Sequence, residues 1–306
     1  MAIKQVRVKI NNIWTTLTYD NTSGAYKATL TAPNVTSYNV NAGHYYPVTV
    51  EATNMADTST MVDDTHSTLG QYLRLKVREV TAPTITISSP SAGQYFGVAK
   101  PQFSFTVKDE ASGSGVAIST LSITLDGTTY TNTSTGVTVT NTTNGYNVTF
   151  TPSTALADGK HTFKVSVSDN DGNQAASSEI SFTTDTIAPT LNVTSPSENG
   201  TYTANATFVV AGTTSDSTSG TPVVDIKLNG TSVGNATVTN GQFTKTITLV
   251  NGSNTIVVTA TDLAGKTTTI TRTIILDSSS PVIASVNITP NPVNVGGSYT
   301  VTVTVE

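Results

Sequence analysis

The sequence predicts an all-β protein, a string of small two-sheet sandwiches joined end to end as a stiff rod. Three observations carry this. Apolar residues alternate with Thr, Ser and Asn in short runs along the whole chain, the period of a half-buried strand. No stretch keeps a 3.6-residue apolar period beyond about two turns. Gly, Asn, Asp and Pro punctuate the runs at short intervals, as turn chemistry requires.

The 306 residues suffice for two or three domains. Charged residues are 11% of the chain, against about 25% in an average soluble protein. Net charge is −5, which offers no electrostatic footprint for nucleic acid or an anionic membrane. There is no cysteine, so disulfides and thiolate metal sites are excluded. No apolar run is long enough to make a membrane-spanning helix. The opening "MAIKQVRVKI" alternates like a strand and has no apolar core of a secretory signal. A surface-like composition without an export signal points to an extracellular or virion protein.

The strands recur in sets. "YYPVTVEATNMAD" (45–57), "HTFKVSVSDNDGN" (161–173) and "NTIVVTATDLAGK" (254–266) share a strand-and-hairpin signature. In each, alternate apolar residues face one way: Val48, Val50, Ala52; Phe163, Val165, Val167; Ile256, Val258, Ala260. Asn54, Asp169 or Asp262 then opens a tight turn, expected to bond the backbone two residues on. Prolines Pro83, Pro189 and Pro281 each precede a short strand and mark boundaries about one hundred residues apart, the size of an immunoglobulin-like sandwich of some seven strands. The expected domains are residues 1–81, a sandwich unit lacking its first two strands; 82–186 and 187–278, two whole sandwiches; and 279–306, a segment holding only the first two strands of a further unit.

These Pro-started units, the stretch "DEASGSGVAISTLSITLDG" (109–127) and the hairpin "TATDLAGK" resemble bacterial immunoglobulin-like (Big-type) repeats, which occur in surface adhesins and phage tail proteins. The opening "VRVKINNIWTTLTYDNTSGAYKATLTAP", with no signal, is most similar to the phage tail-associated group. The resemblance implies structural or adhesive roles and carries no catalytic residues over.

The terminal segment raises its own question. Tyr299, Val301, Val303 and Val305 alternate with threonine as a strand with one apolar face, yet no partner sheet follows. One expectation is that this tail completes the first unit of a second copy by strand addition, giving a head-to-tail filament. Other readings stand beside it: a first unit that is complete in another way, a tail that docks on a different tail or surface protein, a tail that folds back on its own chain, or a sequence cut from a longer one.

Catalytic candidates are few. His44, His66 and His161 lie near no nucleophile motif and form no paired metal motif. Asp109 and Glu110 end one strand and Asp169 and Asp171 sit in a hairpin turn, so the two clusters are candidates for a Ca²⁺ site at one end of a sandwich; turn chemistry accounts for them equally well. For a glycan or protein ligand, the N-terminal unit is richest in Trp and Tyr, with Trp14, Tyr38, Tyr45 and Tyr46 as candidate contacts. Half of those rings would serve equally as core. The Asn-x-Ser/Thr matches at Asn34, Asn147 and Asn205 follow from composition. No cofactor is expected, with Ca²⁺ kept as a weak candidate. The reading is a non-enzymatic structural subunit of a phage tail or extracellular fibre, a homo-oligomer through its terminal strands. The alternative is a monomeric adhesion module binding a cell-surface glycan through its first unit.

Overall fold

A computed structural model describes residues 2–175 and 178–306. Among the described residues there is no α-helix; the chain is strands, turns and two short 3₁₀ turns at Ser37–Asn39 and Gly70–Tyr72. It divides into two compact units, Met1–Thr184 and Asp185–Glu306.

The first unit opens with β1 (Ile3–Ile10), β2 (Ile13–Thr16), β3 (Thr18–Asp20), β4 (Ala25–Lys27), β5 (Tyr46–Asn54), β6 (Ser59–Val62) and β7 (Arg74–Leu75). Strands β2-β1-β5-β6 form one antiparallel sheet, with β7 also on β5, while β3 and β4 pair only with each other. A whole sandwich follows: β8 (Thr84–Ser89), β9 (Tyr95–Phe96), β10 (Phe103–Lys108), β11 (Val116–Leu125), β12 (Thr128–Tyr130), β13 (Val137–Thr142), β14 (Gly145–Phe150), β15 (Gly159–Asp169) and β16 (Ser178–Thr184). Its sheets run β13-β14-β10-β8 and β12-β11-β15-β16-β9.

The second unit repeats this plan with β17 (Thr190–Ser195), β18 (Thr201–Thr203), β19 (Thr207–Ser215), β20 (Val223–Leu228), β21 (Thr231–Asn235), β22 (Thr237–Thr239), β23 (Gln242–Thr248), β24 (Gly252–Thr261) and β25 (Thr267–Leu276). Its sheets run β17-β19-β23-β22 and β18-β25-β24-β20-β21, the same order strand for strand. This is the two-sheet Greek-key plan of an immunoglobulin-like sandwich. The last two strands, β26 (Ile283–Thr289) and β27 (Thr300–Val305), pair with each other alone.

Local sequence explains the shared plan. The turn after β1, β11 and β20 is built on Asn11-Asn12, Asp126-Gly127 and Asn229-Gly230, and all six residues have positive φ. Two consecutive left-handed residues make the two-residue turn whose twist matches a hairpin, and Asn, Asp and Gly tolerate it best. Of the hairpins at the other end, Asn54 makes the expected bond two residues on, while Asp169 and Asp262 reach further. Asp169 Oδ1 accepts from Asn173 N at 2.8 Å and Asp262 Oδ1 from Lys266 N at 2.8 Å, each reaching across its turn. Asn54 Oδ1 accepts from both Ala56 N and Thr58 N.

Each sandwich buries a core of alternate residues between its sheets. Phe103, Phe105, Phe150, Phe163 and Phe182 anchor the first core, and Val210, Ile226, Phe243, Ile256 and Val258 the second. The N-terminal sheet is different. β1 and β5 pair Val6 with Ala52, Val8 with Val50 and Ile10 with Val48, which makes one apolar face. Of these only Val8 is buried, and the rest are half-exposed. Phe163, Val165 and Val167, at the matching places of β15, are 0–1% exposed. The difference is the missing cover: no strands corresponding to β8 and β10 lie over the N-terminal sheet among the described residues.

Candidate carboxylate sites

Two groups of three carboxylates stand out, one in each compact unit. Glu79, Asp109 and Asp169 each offer an oxygen within 4.8 Å of the others, and so do Asp185, Asp216 and Asp262. The groups occupy the same places. Asp109 follows β10 and Asp216 follows β19; Asp169 ends β15, and Asp262 follows β24. Glu79 and Asp185 lie on the segments entering each sandwich, at the same offset ahead of Pro83 and Pro189.

Backbone amides satisfy some of the oxygens. Asp109 Oδ2 accepts from Gly115 N at 2.6 Å, and Glu79 Oε1 accepts from Ser114 N. Asp216 Oδ1 accepts from Thr218 N and Ser219 N at 2.8 and 2.7 Å. Asp185 Oδ1 accepts from Ile187 N at 3.3 Å. The remaining oxygens aim at one another: Glu79 Oε2, Asp109 Oδ1, Asp185 Oδ2 and Asp262 Oδ2 are buried with no hydrogen-bond partner. Asp109 and Asp262 are each 7% exposed and Asp185 is 0% exposed. Among the described residues no Lys or Arg forms an ion pair with any of the six.

The titration of these groups reflects that setting. Burial pushes the Asp185 carboxyl up, and the charges of Asp216 and Asp262 push it further. Burial also raises Glu79, and the nearby charge of Glu110 pushes the same way. For Asp216 burial acts upward too, but the Ser219 and Thr218 amides outweigh it and hold the group below its ordinary range.

Unpaired anionic oxygens that converge in a buried place are costly unless a counter-charge joins them. The donor set is all oxygen, which suits a hard cation. Ca²⁺ binds oxygens at about 2.3–2.6 Å, so one ion can reach three oxygens spread over about twice that distance. Space is also kept clear. A Cβ on Gly113 would lie 2.5 Å from Asp109 Oδ2 and 2.8 Å from Glu79 Oε2.

Of the four acidic residues picked from sequence, Asp109 and Asp169 come together here. Asp171 does not join them; its Oδ2 accepts from Thr36 Oγ1 at 2.5 Å and Glu79 N at 3.1 Å, which ties the N-terminal segment to the β15–β16 hairpin. Glu110 is exposed and touches the group through Glu79. Glu79 and Asp185 went unnoticed in the sequence, although an acidic residue recurs at one offset before each boundary proline, at Glu79, Asp185 and Asp277.

The aromatic candidates are covered by the protein itself. Arg7 lies 4.3 Å and Lys9 5.5 Å from the Trp14 ring centre. Tyr38 stacks on His44 at 4.1 Å. Arg74 lies over Tyr45 at 5.0 Å, and the Tyr45 hydroxyl donates to Asp64 Oδ2. Tyr46 is buried and donates to Val35 O. Tyr299, Val301, Val303 and Val305 are all exposed, as is the whole β26–β27 hairpin. His161 is a packed histidine: Nδ1 meets Asp126 Oδ2 at 2.7 Å, Nε2 meets Thr184 Oγ1 at 2.9 Å, and the ring stacks on Phe182.

Comparison with known proteins agrees with the fold. Residues 80–186 match the family model of a bacterial Ig-like domain, and residues 189–278 match that of glucodextranase, domain B. Bacillopeptidase F of Bacillus subtilis (strain 168) is 36% identical over 135 residues, a stretch covering 44% of this chain and 9% of that protein. Among solved structures, the fibronectin(III)-like modules of Clostridium thermocellum CbhA align over 63% of this chain and 94% of theirs, with 22% identity and a TM-score of 0.43. A structure of a 1.5-MDa bacterial ice-binding adhesin aligns over 89% of this chain and 86% of its own, with 20% identity and a TM-score of 0.30. The topology defines tandem immunoglobulin-like sandwiches, and each of the two whole ones matches a domain model of its own.

Proposed function

We propose that the chain is a non-catalytic structural protein, a segment of an extracellular or virion fibre such as a phage tail, whose sandwiches are stiffened by one Ca²⁺ at each carboxylate group. The observation that carries this reading is the duplication: buried, unpartnered carboxylate oxygens converge at the same place in two successive sandwiches. In each, a cation would link three parts of the chain that are far apart in sequence. These are the segment entering the sandwich, the end of β10 or β19, and the hairpin turn after β15 or β24. Neutralising the carboxylates would hold the entering segment on the sandwich. Chains joined through their terminal strands would lengthen such a fibre.

The carbohydrate-binding alternative draws less support. Sugar sites usually present open aromatic faces, and the four candidate rings are each stacked, cation-capped or buried.

Limited proteolysis of the full chain in calcium and in chelator tests the structural reading. Cleavage near residues 79–82 and 185–188 should be strongly suppressed by calcium. Equal cleavage in both conditions would overturn the proposal.

A further inference from the structure

Charge is spread unevenly along the chain. Residues 1–81 hold seven of the 15 Lys and Arg residues but only six of the 20 Asp and Glu. Three of the seven are Arg74, Lys76 and Arg78, on alternate positions of one extended stretch. Burial alternates with them: Leu75, Val77 and Glu79 are half-buried, whereas Arg74, Lys76 and Arg78 are exposed. In extended backbone, side chains two residues apart share a face, so the three cations form a stripe with a spacing of about 6–7 Å. The backbone beneath is held along its length. Leu73 O accepts from Val48 N at 2.9 Å, Leu75 pairs with Tyr46, Val77 O accepts from Ser37 N at 2.8 Å, and Glu79 N donates to Asp171 Oδ2 at 3.1 Å.

The three cations are uncommitted. Among the described residues no carboxylate forms an ion pair with any of them. Two acids border the stripe, and both are engaged: Asp64 Oδ2 accepts from the Tyr45 hydroxyl, and Asp171 Oδ2 from Thr36 Oγ1 and Glu79 N. Arg74 lies 5.0 Å over the Tyr45 ring, a contact that braces the guanidinium without neutralising it. A polar hollow of about 710 Å³ opens beside Arg74, with His66, Ser67 and Gln71 in its wall. A smaller one of about 160 Å³ opens beside Lys76 and Arg78, with His44 and Asn170. His66 Nδ1 accepts from the Thr68 and Leu69 amides at 3.3 and 3.2 Å, which leaves Nε2 as the donor of the neutral ring.

We infer that this stripe binds a linear acidic polysaccharide, with sugar carboxylates on Arg74, Lys76 and Arg78. The planar fork of Arg matches a carboxylate, and Ser67, Gln71 and Asn170 offer hydrogen bonds to sugar hydroxyls. Recognition of this kind is ionic and needs no open aromatic face; Tyr45 serves instead as the support of Arg74. A single-stranded nucleic acid would bring a similar row of anions, but its bases need rings to stack on. The rings beside the stripe are covered, Tyr38 by His44 and Tyr45 by Arg74. The surface is separate from cation binding and adds an adhesive face to the structural role.

Fluorescence anisotropy of a labelled oligogalacturonate, titrated with the full chain in chelator, tests this. Saturable binding is expected, falling with salt at a log–log slope of roughly −2, as for three contacts to a flexible polyanion. Arg74→Gln/Lys76→Gln/Arg78→Gln should weaken binding about tenfold or more and flatten that slope. Lys160→Gln/Lys164→Gln/Lys227→Gln removes the same charge from exposed positions on β15 and β20 and should bind like the parent. Arg74→Lys/Arg78→Lys keeps the charge and loses both forks. It should bind about two- to tenfold more weakly with the salt slope kept, and since it preserves charge and bulk, that loss would not be one of folding. Unlabelled dextran, which is neutral, should not compete.

A parent chain that shows no saturable binding overturns the inference. So does binding that the stripe variant leaves intact, or an equal loss in the two neutralised variants, which would make net charge the cause. Oligothymidylate binding as tightly as the oligogalacturonate would assign the stripe to nucleic acid instead. Because the series is run without calcium, failure here is separate from failure of cation binding.

Discussion

Asp169 and Asp262 open equivalent hairpin turns in two different sandwiches, and each brings a carboxylate oxygen within 4.8 Å of two other carboxylates. In both cases one oxygen braces the turn through a backbone amide four residues on. A turn needs only that bond. The convergence of Glu79 and Asp109 on one, and of Asp185 and Asp216 on the other, goes beyond turn chemistry.

The sign of a mutational effect should therefore depend on calcium. In chelator, Asp185→Asn removes a fully buried carboxylate whose neighbours are also negative. It should leave stability unchanged or raise it by about 1 kcal/mol. In saturating calcium the same change should destabilise, because the parent gains about 2.7 kcal/mol at a ligand concentration a hundred times its dissociation constant. Thermal melts of both proteins in both conditions check this; a variant effect of one sign throughout would count against the site.

Gly113 separates packing from charge. Its position against Asp109 Oδ2 and Glu79 Oε2 leaves no room for a methyl group. Gly113→Ala should cost about 1–3 kcal/mol through overpacking and weaken the first cation site while sparing the second. Calcium titration of the variant should show one parent-like site and one weakened site.

Buried and exposed strand positions should respond differently. Phe103 is 0% exposed, in contact with the rings of Phe96, Phe150, Phe163 and Phe182. Phe103→Ala should cost about 3–5 kcal/mol in denaturant melts. Val301→Ala, on β27 and 51% exposed, should cost nearly nothing.

The β3–β4 hairpin carries a pH signature. Hydrogen bonds from Lys27 and Ser23 and the Thr22 amide hold the Asp20 carboxyl down to about 2. A depressed carboxylate contributes its stability above the ordinary value of 3.8 and loses it as pH falls through about 2. An NMR titration of Asp20 should show that low midpoint, and Lys27→Met should move it up toward 3.8.

The strand plan was legible because period-2 alternation and Asn/Asp/Gly turns are local signals. Val48, Val50 and Ala52 were correctly placed on one face, but their poor burial was not visible, since it depends on strands that are elsewhere or missing. The carboxylate groups were half legible. Asp109 and Asp169 stood at strand ends, whereas Glu79 and Asp185 join them only through folding of distant segments. Trp14 and Tyr45 illustrate a further limit: composition shows a ring but not the Arg7 or Arg74 lying over it.

The most direct measurement is calcium binding to the full chain by isothermal titration calorimetry, with Asp109→Asn and Asp262→Asn beside it. Two sites per chain are expected, one lost or weakened by about tenfold or more in each variant, with neither variant disturbing the other's site. Absence of any saturable calcium binding, or binding that both variants leave untouched, would contradict it.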